Sequence, residues 1–351
     1  MRITRIQRIV VRVPFLPGIL PPPDMEESTT SYPQPLDARC QDLLLLDTDS
    51  GLRGMGMSGP YFDARDEDLS ALLGTDPTAM QPRQMSGSGA DIARLDLMAQ
   101  AAGWPLCRLF GGRLQERVLV DYWISRMGPD SSADAARRAV QGGFHGIKLK
   151  CKWEDGNIVE RVQAIHAAAP GLRIVVDPNE RFHSLDNALT VARQLEGLDV
   201  LFEDPFPKGD LTDFARFRQE SSIPVAPHLQ NPRQVIRAVE LGAADGINIG
   251  PAGWGFVDMA RIAAAADIPV WQASNVDLGV FDVFRLHASA AAPNCTLGSD
   301  LCGNFVHEHS LLAEPLVRDG YATVPTAPGL GVALDEDAVA RYTVRTQEWR
   351  V

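Results

Sequence analysis

The triplet Lys148-Leu149-Lys150, inside the run GIKLK, is the clearest chemical feature of the sequence. On a strand, side chains alternate between faces, so both lysines share one face and Leu149 takes the other. In a buried strand, desolvation and a like-charged neighbour both favour loss of a proton from one ammonium. That amine becomes a base, while its partner stays cationic and can hold a carboxylate. On a solvated edge the same triplet is ordinary. Two further runs end in acids: RIVVDPN in Asp177, and DVLFEDP in Glu203 and Asp204. Carboxylates at the ends of successive buried strands suit a hard divalent cation such as Mg²⁺ or Mn²⁺. The competing reading is that each acid caps the helix that follows. His228, in IPVAPHLQNP, stands at the next strand end, where ligand, base and substrate contact are all open. Asp300 in CTLGSDLCG, and Asn275 and Asp277 after IPVWQAS, either contact substrate or cap helices.

These residues need elements that bring strand ends together. From Arg117 onward, short β-rich runs (RVLVDYWIS, GIKLK, RIVVD, DVLFED, IPVAPH, GINIG, IPVWQAS, and a last one near CTLGSD) alternate with segments such as SADAARRAVQGG and DNALTVARQLEG that suit amphipathic helices. That alternation predicts parallel βαβ units. Polar or small residues close the runs at positions 150, 177, 203, 228 and 250, a recurrence of 22 to 27 residues, the length of one strand, one helix and two loops. Eight such units from residue 117 end near residue 310. No G-x-G-x-x-G follows the first strand, so a closed barrel fits better than an open doubly wound sheet. In a barrel the active site lies at the C-terminal strand ends, where these residues fall. Before Arg117 the sequence predicts a strand over 1–13, a long loop from Pro14 to Pro35, two strands around a turn at Asp49–Gly51, and a helix from Ala90 to Leu109.

Composition narrows the partners. The 351 residues are 45% hydrophobic and carry a formal charge of −12, which repels nucleic acid and anionic lipid. The alternating N-terminus is not a signal peptide pattern and no apolar run is long enough for a membrane span. Nucleic acid and membrane are therefore not expected partners, and a cytoplasmic location follows by default. The five cysteines are scattered without a C-x-x-C pair, so neither a disulfide framework nor a zinc site is expected.

Taken in this order, the motifs resemble the enolase superfamily, specifically its mandelate racemase and muconate lactonizing enzyme branch, over nearly the whole chain. GIKLK resembles the K-x-K of that branch. Asp177 and Glu203 match its first two metal ligands, and DIARLDLMAQAAGWPLCRLFGG resembles the helix closing its capping domain. TLGSDLCG resembles the eighth-strand segment with its acidic residue, and APGLGVALDED the P-G-L-G signature. The resemblance implies an α/β fold: a (β/α)7β TIM-like barrel at 116–310 under an α+β capping domain built from residues 1–115 and the C-terminal segment 311–351. Loops near 14–35 and 56–64 would cover the substrate. It also implies abstraction of the α-proton of a small carboxylate substrate, with a divalent metal, first of all Mg²⁺, stabilising the enolate. Family members often associate, which allows a homo-oligomer.

The sequence departs from the family pattern in three places. Gly250 stands where many members carry a lysine on strand six, and IPVWQASN offers no histidine on strand seven. His228 stands where the third ligand is usually Asp or Glu; if it binds, Mn²⁺ or another softer divalent ion gains ground. Met57 stands where the cap often has an acid. A base on one face only favours dehydration of a hydroxylated acid, a sugar acid or a hydroxy amino acid. In that reading Lys148 or Lys150 is the base, Asp177, Glu203 and His228 hold the metal, and His228 or Asp300 assists departure of the hydroxyl. The alternatives are racemisation or epimerisation with His228 as the opposite base, and a non-catalytic binding protein with a decayed site.

Overall fold

The computed structural model describes residues 1–19, 39–58, 65–85 and 87–351. Most of the 14–35 loop and of the 56–64 segment therefore lies outside the described residues.

The N-terminal region supplies β1 (Ile3–Val11), β2 (Gln41–Thr48) and β3 (Arg53–Ser58), then a short helix α1 (Asp66–Ser70) and the longer α2 (Gly89–Ala101). β1 to β3 form an antiparallel meander, with Ile6 opposite Leu46 and Leu44 opposite Gly56. The helix lies close on this sheet because Gly54 and Gly56 have no side chains. A Cβ at Gly56 would fall 1.8 Å from the Gly89 carbonyl oxygen, and one at Gly54 2.2 Å from that of Ala93. Ser88 starts α2, its Oγ accepting the Asp91 amide at 3.3 Å. The helix expected to run to Leu109 stops at Ala101. Gly103 turns the chain with φ +68°, and Pro105 leads into a separate tight turn at Leu106–Phe110.

The barrel strands follow. The expected single run over RVLVDYWIS divides: β4 (Arg117–Leu119) and β5 (Tyr122–Ile124) separate at Val120–Asp121. Then come helix α3 (Pro129–Gln141), β6 (Gly146–Lys150), α4 (Ile158–Ala168), β7 (Arg173–Asp177), α5 (Leu185–Gln194), β8 (Val200–Glu203) and α6 (Thr212–Glu220). Pro227 interrupts the fifth barrel strand, giving β9 (Val225–Ala226) and β10 (His228–Leu229). Beyond it lie α7 (Pro232–Leu241), β11 (Ile247–Ile249), α8 (Trp254–Ala264), β12 (Val270–Gln272) and α9 (Gly279–Ala290). β5 to β9 form one parallel sheet and β10 to β12 another. The eighth position is held by two single parallel bridges, Val270 to Cys295 and Val120 to Ser299, which carry the ring back to the first strand.

The C-terminal part adds α10 (Gly303–Val306), β13 (Val317–Arg318), β14 (Tyr321–Thr323), α11 (Glu336–Tyr342) and β15 (Thr343–Arg350). β14 pairs with β4, whereas β15 returns to pair antiparallel with β1, completing the sheet β15-β1-β2-β3. The turn at Leu330 ties these parts together. Its amide donates to Asp96 of α2 at 2.7 Å, and its carbonyl accepts from His287 Nε2 of α9 at 3.0 Å. His287 Nδ1 in turn accepts the Cys107 amide. No helix among the described residues is long and apolar enough to cross a membrane. All five cysteines are free thiols, and only Cys40 is exposed.

Candidate active site

The β6 to β8 strand ends converge on a small charged cluster. β6 is buried along its whole length, and its alternation turns Lys148 and Lys150 inward. Arg161 of α4 fixes that strand end: its guanidinium donates to the Lys150 carbonyl at 2.8 Å, the Ser125 carbonyl at 2.9 Å and Ser132 Oγ at 3.2 Å. The strand-end acids are spared from capping. α5, which follows Asp177, is capped by Ser184, whose Oγ accepts an amide at 3.2 Å, and α6, which follows Glu203, starts without a side-chain cap. Asp177 and Glu203 are left for the pocket. After β7 and β8 the backbone bends through positive φ at Asn179 (49°), Glu180 (68°) and Asp204 (46°). The Glu180 amide bonds the Asp204 carbonyl at 2.7 Å, locking the two loops together.

Lys148 Nζ sits inside a cage of three carboxylates. It lies 3.1 Å from Asp177, 2.7 Å from Glu203 and 2.8 Å from Asp300. Only 3% of its surface is exposed. Burial alone would strip its proton, but Asp300, Glu203 and Asp177 together hold its pKa well above the usual lysine value. Of the two lysines, Lys148 is thus the one that stays cationic: attraction to three acids exceeds the cost of its burial. Lys150 Nζ pairs with Asp177 and with Asn179 Oδ1 at 2.9 Å. Asp177 is buried, which disfavours its charge, yet Lys150 and Lys148 pull its carboxyl well below the carboxylate range. Glu203 goes the other way, pushed well up by burial and by the charge of Asp177. Asn248, on β11, donates to Glu203 Oε1 at 2.9 Å and faces Asp300 at 3.5 Å.

The next strand end is different in kind. His228 donates its backbone amide to Asp204 Oδ1 at 2.9 Å, and its Nε2 lies 2.9 Å from the amide nitrogen of Gln230. Burial and the nearby Lys208 push its pKa down to about 3, so the ring is neutral. Asp204, raised to about 6 by burial, takes an ammonium hydrogen bond from Lys208 at 2.6 Å. Lys208 also pairs with Glu180.

Of the residues singled out from sequence, Lys148, Lys150, Asp177, Glu203 and Asp300 come together in one cluster, with His228 at its border. Asn275 and Asp277 do not join it. Asp277 is fully buried, paired with Arg285 of α9 and accepting the Asn275 amide at 3.1 Å. The Asn275 carbonyl accepts from Arg39 at 3.2 Å. This turn is held by its own charges, and α9 itself starts after Leu278 without a side-chain cap. Asn179, Lys208, Gln230 and Asn248 belong to the mouth and were not singled out. Asn179, Gln230 and Asn248 each lie two residues from a named position, so strand alternation was the available signal.

The donor set can be tested against a divalent cation. Asp177 and Glu203 are hard oxygen donors crowded together, and burial together with the charge of Asp177 disfavours a charge on Glu203. A divalent cation would remove that penalty, so the pair fits. His228 is turned to Gln230, and among the described residues no three of His, Cys, Asp and Glu converge on one metal position.

Residues 131–338 match the family model described as enolase C-terminal domain-like. The chain is 29% identical over 290 residues to muconate cycloisomerase 1 of Rhodococcus opacus, covering 79% of this chain and 77% of that protein. It is 30% identical over 309 residues to N-succinylamino acid racemase of Thermus thermophilus, covering 83% and 78%. The crystal structure of N-succinyl Arg/Lys racemase from Bacillus cereus superposes over all of both chains with a TM-score of 0.82 at 23% identity, and this likeness concerns the fold. Cycloisomerases, racemases, epimerases and a dehydratase all occur among the relatives.

Proposed function

The chain belongs to the enolase superfamily, in the mandelate racemase and muconate lactonizing enzyme branch, and on that premise we propose that it removes the α-proton of a hydroxylated carboxylic acid and expels the β-hydroxyl as water. Sugar acids and hydroxy amino acids are the substrate classes. The observation that carries this reading is the asymmetry of the mouth: two lysines project from β6, while β11, four strands away around the ring, presents Gly250. The capping segments 1–115 and 311–351 would set the substrate, and the barrel at 116–310 the chemistry.

The roles follow from the surroundings of each group. Lys148, held cationic by its cage, is the electrostatic partner of the substrate carboxylate. Lys150, with fewer acids around it and an amide neighbour, is the base. Asp177 and Glu203 would hold a divalent ion, Mg²⁺ first, since one structural neighbour, a dipeptide epimerase, is solved with Mg and a dipeptide. His228 would add a nitrogen, and a preference for Mn²⁺, only by leaving Gln230. When bound, the cation would offset charge developing on the substrate carboxylate. The α-proton passes to Lys150 Nζ. The β C–O bond breaks and the hydroxyl leaves as water with a proton from the side of Asp300, which accepts from the Lys148 ammonium. A sugar acid with hydroxyls on both α- and β-carbons gives an enol that tautomerises to a keto acid, so substrate becomes keto acid plus water; a hydroxy amino acid gives an enamine, whose imine tautomer takes the water back and hydrolyses to keto acid plus ammonia.

A second reading, racemisation or epimerisation with His228 as the opposite base, is favoured by the relatives that are racemases. Proton NMR in D₂O with Mg²⁺, across sugar acids, hydroxy amino acids and N-succinylamino acids, separates the two. Keto acid formation that vanishes in Lys150→Met supports dehydration. Deuterium at the α-carbon with inversion and no water loss replaces it with the second reading.

A further inference from the structure

β10 and β11 are parallel neighbours with His228 opposite Asn248, and the Gly250 amide donates to the Leu229 carbonyl at 3.0 Å. One row further toward the mouth, Gln230 therefore stands beside Gly250. Asn248 reaches Glu203, which fixes its face as the interior. Alternation puts residues 228, 230, 248 and 250 on that same face. Gly250 is not among the residues with positive φ, so its backbone would accept any L-residue. What a side chain there would meet is the amide end of the Gln230 side chain in this pose. A Cβ built there would lie 2.4 Å from both Oε1 and Nε2 of Gln230 and 2.6 Å from its Cδ. The glutamine is itself held at both ends. Its backbone amide donates to Gln234 Oε1 at 2.7 Å, and its side-chain nitrogen lies 2.9 Å from His228 Nε2. An amide nitrogen can only donate, so the imidazole Nε2 accepts and the ring proton resides on Nδ1.

We propose that Gln230 and Gly250 act as one unit, with Gln230 a positioning residue. Its amide takes the volume above Gly250 and fixes the ring of His228. The wall three to four strands round from Lys148 and Lys150 is then a neutral amide–imidazole pair above Gly250. A glutamine at 230 in this pose and a side chain at 250 exclude each other. That this wall faces a base rests on the proposed function; its packing and hydrogen bonds do not.

Thermal melts of Gly250→Ala, Gln230→Ala and the double variant test the contact, and nitrogen-15 NMR of the histidine rings, assigned with His228→Asn, tests the positioning. Gly250→Ala is expected to lower Tm by about 2–4 °C in the parent and by much less where residue 230 is alanine. His228 Nε2 is expected unprotonated in the parent, perturbed in Gln230→Ala, and protonated in Gln230→Glu, whose carboxylate can only accept. Equal Tm losses from Gly250→Ala in both backgrounds, or a His228 spectrum unchanged by Gln230→Ala, overturn the proposal. If Gly250→Ala does not fold, the parent and Gln230 variants still decide it through the NMR. Neither readout needs turnover, so a failed substrate screen counts against the proposed function alone.

Discussion

The two sides of the barrel mouth solve opposite electrostatic problems. On the β6–β8 side, two lysines and three acids are packed out of water, and each charge is tolerable only because the others are there. On the β10–β11 side, a histidine, a glutamine, an asparagine and a glycine offer hydrogen bonds without net charge. The charged side is therefore brittle: removing one member leaves buried charge without a partner. The neutral side is tuned by shape and hydrogen-bond direction, and losses there should be graded.

The sharpest way to break this contrast is Lys148→Met. It leaves Asp177, Glu203 and Asp300 facing one another, and should cost about 3–5 kcal/mol in urea unfolding, with Mg²⁺ restoring part of the loss. An unchanged midpoint would mean the three acids do not share the ammonium. Asp177→Asn comes next: turnover should fall by roughly 10²–10³, and calorimetry should show Mg²⁺ binding lost with it. Retained binding would move the metal elsewhere. On the neutral side His228→Asn should cost only about 10–100-fold in turnover; a loss as large as that of Asp177→Asn would erase the distinction. The smallest effect is on pH. His228 is depressed to about 3 in the fold against about 6.5 when unfolded, so the unfolded chain binds the proton more readily. Its contribution to stability is complete above about pH 6.5 and is lost as pH falls toward 3. Melts at pH 7.5 and pH 5 should show the parent losing more Tm than His228→Asn.

The charged side was far more legible in the sequence than the neutral one. GIKLK, Asp177 and Glu203 stood out because chemistry-bearing residues closed apolar runs at a barrel period, and a buried strand rarely carries such groups without a task. The cage around Lys148 was not legible. Its pKa depends on Asp300, which reaches it only after the ring closes, and no local pattern reports that. The neutral wall was missed because Gln230 and Asn248 are common polar residues, and Gly250 was noticed only for a missing lysine. Asn275 and Asp277 show the converse case. Their position after β12 suggested the pocket, but Arg285, eight residues on and buried in α9, claims the Asp277 carboxylate. In the cap, the overlong α2 came from an apolar period that continued past Gly103 and Pro105, where backbone geometry overruled it.

The bond between Lys148 and Asp300 joins residues 152 positions apart, the second barrel strand to the eighth. Closing so long a loop costs chain entropy that nearer contacts must already have offset. A chain folded only as far as β8 would hold Asp177 and Glu203 beside Lys148 but lack the third acid. The site's final charge balance thus cannot exist in any partly assembled barrel. Competence for catalysis requires the ring to close, and a refolding experiment is expected to recover helical signal before it recovers activity.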